Sequence, residues 1–154
     1  MSLKGFITSV VMAVLLCLSS FIIGVKFTLI ILGLFYIIQG ILYQYNKDYY
    51  IKIQNVINAD RERIYESKSD EFKEYIKSDP ISCFFVGILF MYLGFRYAYL
   101  VPSIKYYIAV SIFVISNYFI EIYAMSKSVD WQDYKKKSIL PILIILIFVL
   151  FLLN

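Results

Sequence analysis

The sequence predicts an all-α, polytopic membrane protein: a transmembrane helical bundle in which a cytoplasmic helical connector joins two short-loop hairpins, followed by a short C-terminal transmembrane helix. Hydrophobic residues make up 61% of the 154, more than the interior of a soluble domain of this size can hold. Charge is concentrated in residues 46–79, which contain 7 of the 15 Lys and Arg and 8 of the 11 Asp and Glu. The flanking apolar segments are close to the roughly 20 residues that cross a bilayer.

The first hairpin is predicted from two apolar segments that almost touch in sequence. Residues 5–24 contain no charged side chain, and residues 27–45 form a second apolar segment after a gap of two residues. A signal peptide is the alternative for residues 5–24, but the apolar core of a signal peptide is only about 7–15 residues long. Together the segments are too long for one crossing, so we predict two helices joined by a tight turn.

The second hairpin is predicted over residues 80–101 and 104–125. Its first helix has a clear start, because Ser78 or Asp79 can cap it and Pro80 falls where a missing amide hydrogen costs nothing. A proline and a serine separate the two segments, which again leaves room only for a short turn.

The fifth apolar segment, residues 139–153, is short. Its 15 residues would measure roughly 22 Å as a helix, against a hydrocarbon thickness of about 30 Å. Ser138 is its predicted cap, with Pro141 in the first turn. A fifth span helped by snorkelling lysines is the favoured interpretation, and a half-buried terminal helix is the alternative. The predicted interface anchors are Arg96, Trp131, Lys135, Lys136 and Lys137.

The distribution of Lys and Arg predicts the orientation. Twelve of the 15 fall in the N-terminal residues, the connector and the segment before the fifth span. Since cytoplasmic loops are enriched in Lys and Arg, we expect a multi-pass protein of the cell membrane with its N-terminus in the cytoplasm. The usage of Ile, Lys, Tyr, Asn and Phe is typical of AT-rich bacterial genomes.

The connector itself is predicted to be helical. No Gly or Pro interrupts residues 46–79, and apolar residues recur near helical spacing, which predicts helices over 47–66 and 70–77. Its charges nearly cancel, as in a solvated helix with surface ion pairs. A passive linker is one interpretation, and a docking surface for a protein partner at residues 47–77 is the other.

Gln39, Asn117 and Glu121 are large polar side chains inside predicted spans, where each is costly in hydrocarbon. Counting residues along each helix places Gln39 and Asn117 at similar depths, with Glu121 one turn below Asn117. The predicted polar layer in the cytoplasmic half is compatible with interhelical hydrogen bonding or with a ligand or proton site.

Small residues at four- and seven-residue spacing predict close helix packing, within one chain or in a homo-oligomer. They are Ser9, Ala13 and Cys17 in the first span, Gly33 and Gly40 in the second, and Gly87 and Gly94 in the third.

Several function classes are disfavoured. The chain has no His, and Cys17 and Cys83 both lie in apolar segments, so we predict no metal site, cofactor or catalytic residue. Phosphate-binding loops and hydrolase motifs are missing from the sequence, and the basic residues sit beside apolar segments rather than on a nucleic-acid face. We therefore expect a non-catalytic interaction, regulatory or immunity-type protein. The alternative is a small oligomeric transporter or channel lined by the polar layer.

Overall fold

The computed structural model describes residues 2–72 and 80–153, and over these residues the secondary structure is helical without strands. The all-α prediction is confirmed. The helices are α1 Leu3–Tyr45, α2 Lys47–Ile57, α3 Ala59–Glu66, α4 Pro80–Arg96, α5 Ile104–Lys127 and α6 Trp131–Leu153.

Helix α1 consists of two limbs, residues 3–23 and 25–45, that meet at Gly24. The Gly24 backbone (φ 84°, ψ 159°) is not helical, and glycine adopts such a positive φ without the steric cost of a side chain. A straight 43-residue helix would be roughly 65 Å long. Yet the Ser2 amide nitrogen lies 2.8 Å from Asp60 Oδ2, although most of the short stretch between α1 and Asp60 is the compact helix α2. The chain therefore reverses at Gly24, and the limbs run side by side.

The second limb of α1 packs antiparallel against α4 through glycines. A Cβ atom on Gly33 would lie 2.7 Å from the Gly87 carbonyl oxygen, and one on Gly87 would lie 2.8 Å from the Gly33 carbonyl oxygen. Further along, Gly40 faces the Phe84 ring, and Gly94 faces the backbone at Lys26. The small residues predicted in the second and third spans, Gly33, Gly40, Gly87 and Gly94, lie in this contact.

The first limb of α1 packs antiparallel against α5. The Ser20 hydroxyl lies 2.6 Å from Tyr106 Oη, and the Phe6 and Phe119 ring centroids are 6.0 Å apart at the other end. Ser9 and Ala13 are buried. The Cys17 thiol lies between these two ends, 3.9 Å from the Tyr107 carbonyl oxygen. Helix α5 also packs against α6.

The start of α6 corrects the predicted cap. The helix begins at Trp131 rather than after Ser138, and the Ser138 hydroxyl donates to the Tyr134 carbonyl inside the helix. Asp130 supplies the capping acceptor instead, because its Oδ1 atom lies 2.8 Å from the Asp133 amide. The helix is consequently 23 residues long, with Pro141 in its interior.

Two of the described helices, α1 and α5, are long and apolar enough to cross a membrane. In their most apolar 18-residue windows only 17% and 28% of the residues are buried. Large apolar side chains such as Phe21 and Ile22 point outward and are each 75% exposed, whereas Ser20 and Gln39 are buried at 0% and 2% exposure. On α1, polar side chains such as Ser20 and Gln39 thus face inward, while large apolar side chains face outward.

Candidate functional site: a polar latch between connector and bundle

The connector is bent at Asn58, where α2 ends and α3 begins. Asn58 has non-helical backbone angles, and its side-chain oxygen accepts a hydrogen bond from the Arg61 amide at 3.3 Å. This is the geometry of a helix N-cap, a position that Asn favours because its side chain competes with the backbone for hydrogen bonds. The single helix predicted over 47–66 is therefore wrong, since it is two helices. The predicted helix over 70–77 falls mostly outside the described residues.

Asp60, two residues further on, is only 2% exposed. Its Oδ2 atom accepts hydrogen bonds from the Ser2 amide at 2.8 Å and from the Tyr118 hydroxyl at 2.6 Å. Its Oδ1 atom lies 3.2 Å from Arg63 Nη2. Burial by itself would raise the pKa of Asp60, but the hydrogen bonds from Tyr118 and Ser2 outweigh it and lower the pKa below its ordinary value. The buried carboxylate is therefore ionised and well solvated by protein.

Arg61 forms the second contact of the connector with the bundle. Its Nε atom lies 3.1 Å from Glu121 Oε1, and Asn58 Nδ2 donates to Glu121 Oε2 at 3.3 Å. Burial would lower the pKa of Arg61, but the Glu121 carboxylate raises it, so the guanidinium stays charged. Tyr50 hydrogen-bonds to the Arg61 side chain, and the Tyr50 ring meets the Tyr43 ring edge-on at 5.0 Å.

We call these contacts the connector latch. It comprises Asn58, Asp60 and Arg61 of the connector together with Ser2, Tyr118 and Glu121 of the bundle. The latch attaches α3 to the start of α1 and to the second half of α5 at once. Each buried charge has a partner of opposite sign or a hydrogen-bond donor, which is the condition for burying charge without a large loss of stability. These contacts attach the connector to the bundle.

Space for the latch depends on Gly5. A Cβ atom on this residue would collide with both Tyr118 Oη and Asp60 Oδ2. The missing side chain lets the carboxylate reach the first turn of α1, where helix amides lack partners within the helix.

The predicted polar layer is only partly the site that the structure forms. Glu121 belongs to the latch, where the connector residues Arg61 and Asn58 engage it. Gln39 is buried in the second limb of α1, and Asn117 lies half-buried on α5, one turn above Glu121. Sequence reasoning missed Asp60 and Asn58 as site residues, although an Asn two residues before an Asp inside a helical stretch is a recognisable capping signal.

The predicted interface anchors lie at the ends of the helices. The guanidinium carbon of Arg96 is 6.0 Å from the Tyr97 ring centroid. Lys137 pairs with Asp133 at 2.7 Å, and Lys135 and Lys136 are exposed. The Trp131 side chain lies outside the described part of the structure.

Within the described residues no group of three His, Cys, Asp or Glu side chains could hold a metal ion. Both cysteines are free thiols. Comparisons of the chain with protein-family models, with curated proteins and with solved structures found no match.

Proposed function

We propose that the chain is a multi-pass integral protein of the bacterial cytoplasmic membrane, with a non-catalytic interaction, regulatory or immunity-type role. The main support is the inverted polarity of α1, on which Phe21 and Ile22 are exposed while Ser20 and Gln39 are buried. Soluble monomers rarely expose continuous apolar surface of this extent. In lipid the same surface is favourable, and small or polar residues belong between the helices.

The lengths of the two limbs of α1 support the proposed threading. Each limb of α1 has 21 residues, or about 32 Å, which matches a hydrocarbon core of about 30 Å. With α4, α5 and α6 the chain would cross five times, with the connector on the cytoplasmic side that is rich in Lys and Arg.

The proposed interaction role is supported by the outer face of α2. Tyr49, Lys52 and Val56 lie on one side of this helix and are exposed, whereas the half-buried Tyr50 faces the bundle. The latch holds α3, and with it the end of α2, on the bundle. A fixed helix face of mixed aromatic, basic and aliphatic character suits a protein partner, since such faces lose little entropy on binding.

The alternative role is transport along Gln39, Asn117 and Glu121. The Arg61–Glu121 ion pair favours the interaction role, because it neutralises the one carboxylate that such a path would use.

Site-specific photo-crosslinking in cells tests the interaction role. We expect a photoreactive residue at Val56 to give a discrete protein adduct, whereas the same residue at the lipid-facing position Phe21 should give none. Asn117→Ala changes the predicted transport path but leaves every latch residue intact, so this variant should leave the adduct at Val56 in place. Equal adducts at Val56 and Phe21, or no protein adduct at Val56, would contradict the role.

Alkaline carbonate extraction tests membrane integration separately. We expect the full-length chain to stay with the membrane pellet and to be released only by detergent. Release by carbonate would refute the membrane assignment whatever the crosslinking shows.

A further inference from the structure

The cytoplasmic end of α5 carries an open groove of about 440 Å³. The residues that line it are Phe119, Ile122, Tyr123, Ser126 and Lys127, which follow one another on one side of the helix. Phe119, Tyr123 and Lys127 are exposed, so the groove opens to the surroundings of the bundle rather than into its core.

The polarity of the groove changes along its length. At 1.5 Å per residue, Lys127 lies about 12 Å further along the helix axis than Phe119. One end is therefore aromatic and aliphatic, and the other end has a hydroxyl and an ammonium group. In the proposed threading this length crosses from the hydrocarbon core into the interfacial layer, which is roughly 5–8 Å thick on each side.

Several ammonium groups converge on the polar end. Lys68 Nζ lies 3.3 Å from the Ser126 carbonyl oxygen and 2.8 Å from that of Ser128. Lys137 Nζ lies 2.8 Å from the Lys127 carbonyl oxygen. Contacts between ammonium groups and backbone carbonyl oxygens are favourable at a helix C-terminus. They place two further cations near the backbone of Lys127.

Asp130 and Asp133 follow the end of α5 in sequence, and Glu66, Asp70 and Glu71 flank Lys68. Asp133 pairs with Lys137 at 2.7 Å, and Asp130 accepts a hydrogen bond from the Asp133 amide. Lys127 lines the polar end of the groove and is exposed, so its ammonium group can meet an anion there.

We propose that this groove binds an anionic phospholipid of the cytoplasmic leaflet. Its acyl chain lies along Phe119 and Ile122, and its phosphate lies between Lys127, Lys68 and the Ser126 hydroxyl. The assignment rests on the proposed membrane location and adds a specific ligand class to it.

Native mass spectrometry of the full-length protein in mild detergent tests the site. Phosphatidylglycerol and phosphatidylcholine with the same acyl chains are titrated against the wild type, Lys127→Gln and Lys105→Gln. Lys105 is a matched control, since it is exposed on the same helix at the opposite end. One lysine near a membrane surface contributes about fivefold to the affinity for anionic lipid. We therefore expect Lys127→Gln to lower the affinity for phosphatidylglycerol by about fivefold and to leave the affinity for phosphatidylcholine unchanged. Lys105→Gln should change neither affinity.

Equal affinity of the wild type for the two lipids would overturn the proposal, and so would equal losses in the two lysine variants. Tyr123→Ala removes part of the apolar wall and should weaken both lipids by about threefold or more. An unchanged affinity for both lipids in that variant would contradict the placement of the acyl chain. Full displacement of the lipid by an equal concentration of inorganic phosphate would show a site for phosphate alone. If the protein resists carbonate extraction but binds the two lipids equally, the lipid site is refuted and the membrane assignment stands.

Discussion

At the residue scale, the most consequential side chain is Asp60. It is buried, and its partners Ser2 and Tyr118 each lie 58 residues away in sequence. Loss of the carboxylate would leave the Tyr118 hydroxyl and the Ser2 amide without their acceptor. A buried polar group deprived of its partner costs more free energy than the hydrogen bond itself contributes.

Asp60→Ala should lower the free energy of unfolding by about 1–3 kcal/mol. Because folding lowers the pKa of this carboxyl below its ordinary value of 3.8, its contribution is complete well above that pH and is lost as the pH falls through the folded pKa. Thermal unfolding in detergent between pH 7 and pH 3 measures this loss. Glu71 is exposed, so the variant Glu71→Gln serves as the control. It should lose stability between pH 7 and pH 3 to the same extent as the wild type. A full acid-dependent loss in Asp60→Ala would contradict the role of Asp60.

Gly5→Ala should break the same contact from the other side. Its Cβ would collide with Tyr118 Oη and Asp60 Oδ2, so the carboxylate must leave the first turn of α1. We expect the double variant Gly5→Ala/Asp60→Ala to be less destabilised than the sum of the single variants, because both remove one interaction. A double-mutant cycle of unfolding free energies measures the coupling, and strict additivity would count against the latch.

At the element scale, local pattern predicted a helical chain but not where each helix begins and ends. A turn was predicted between residues 24 and 27, and in the structure the chain reverses at Gly24. Glycine adopts the φ of 84° that is observed there without steric cost. The third predicted span, residues 80–101, becomes a helix that ends at Arg96. The docking of α3 was not predictable from the sequence, because the charge pattern of the connector is also that of a solvent-exposed helix. Its partners Ser2 and Glu121 are distant in sequence and are brought beside it only by the fold.

Asn58 tests the bend of the connector. Asn58→Ala loses the cap of α3 and the hydrogen bond to Glu121, and should destabilise the protein by about 1–2 kcal/mol. Asn58→Asp keeps the capping oxygen but places a second carboxylate near Glu121 Oε2, now 3.3 Å from the amide nitrogen. We therefore expect Asn58→Asp to be more stable near pH 4 than near pH 7, relative to wild type. Identical pH profiles for Asp and Ala at this position would contradict the contact.

The glycine contact between the second limb of α1 and α4 makes a graded prediction. Gly33→Ala would push a methyl group against the Gly87 carbonyl, which is backbone and cannot turn aside, so we expect a loss of about 1–3 kcal/mol. Gly40→Ala meets the end of the Phe84 ring at 3.1 Å, and that side chain can move. The loss of thermal stability in detergent should be clearly smaller at position 40. The reverse order would contradict this packing.

At the scale of the whole molecule, the connector joins the two halves of the chain twice. It links them covalently, and the latch also fixes α3 to the first limb of α1 through Ser2 and to α5 through Glu121. The polar stretch that the sequence sets apart from the apolar segments is therefore part of the packed structure. In the proposed interaction role, the outer face of α2 is the surface that binds the partner.

The proposed threading is tested most directly by cysteine labelling in intact cells. Cys17 and Cys83 are replaced by alanine, and single cysteines are introduced at Glu66, next to the connector turn, and at Tyr99, which is 97% exposed between α4 and α5. With a membrane-impermeant maleimide we expect Tyr99→Cys to react in intact cells and Glu66→Cys to react only after permeabilisation. Reaction of Glu66→Cys in intact cells, or protection of Tyr99→Cys there, would contradict a cytoplasmic connector between two membrane hairpins.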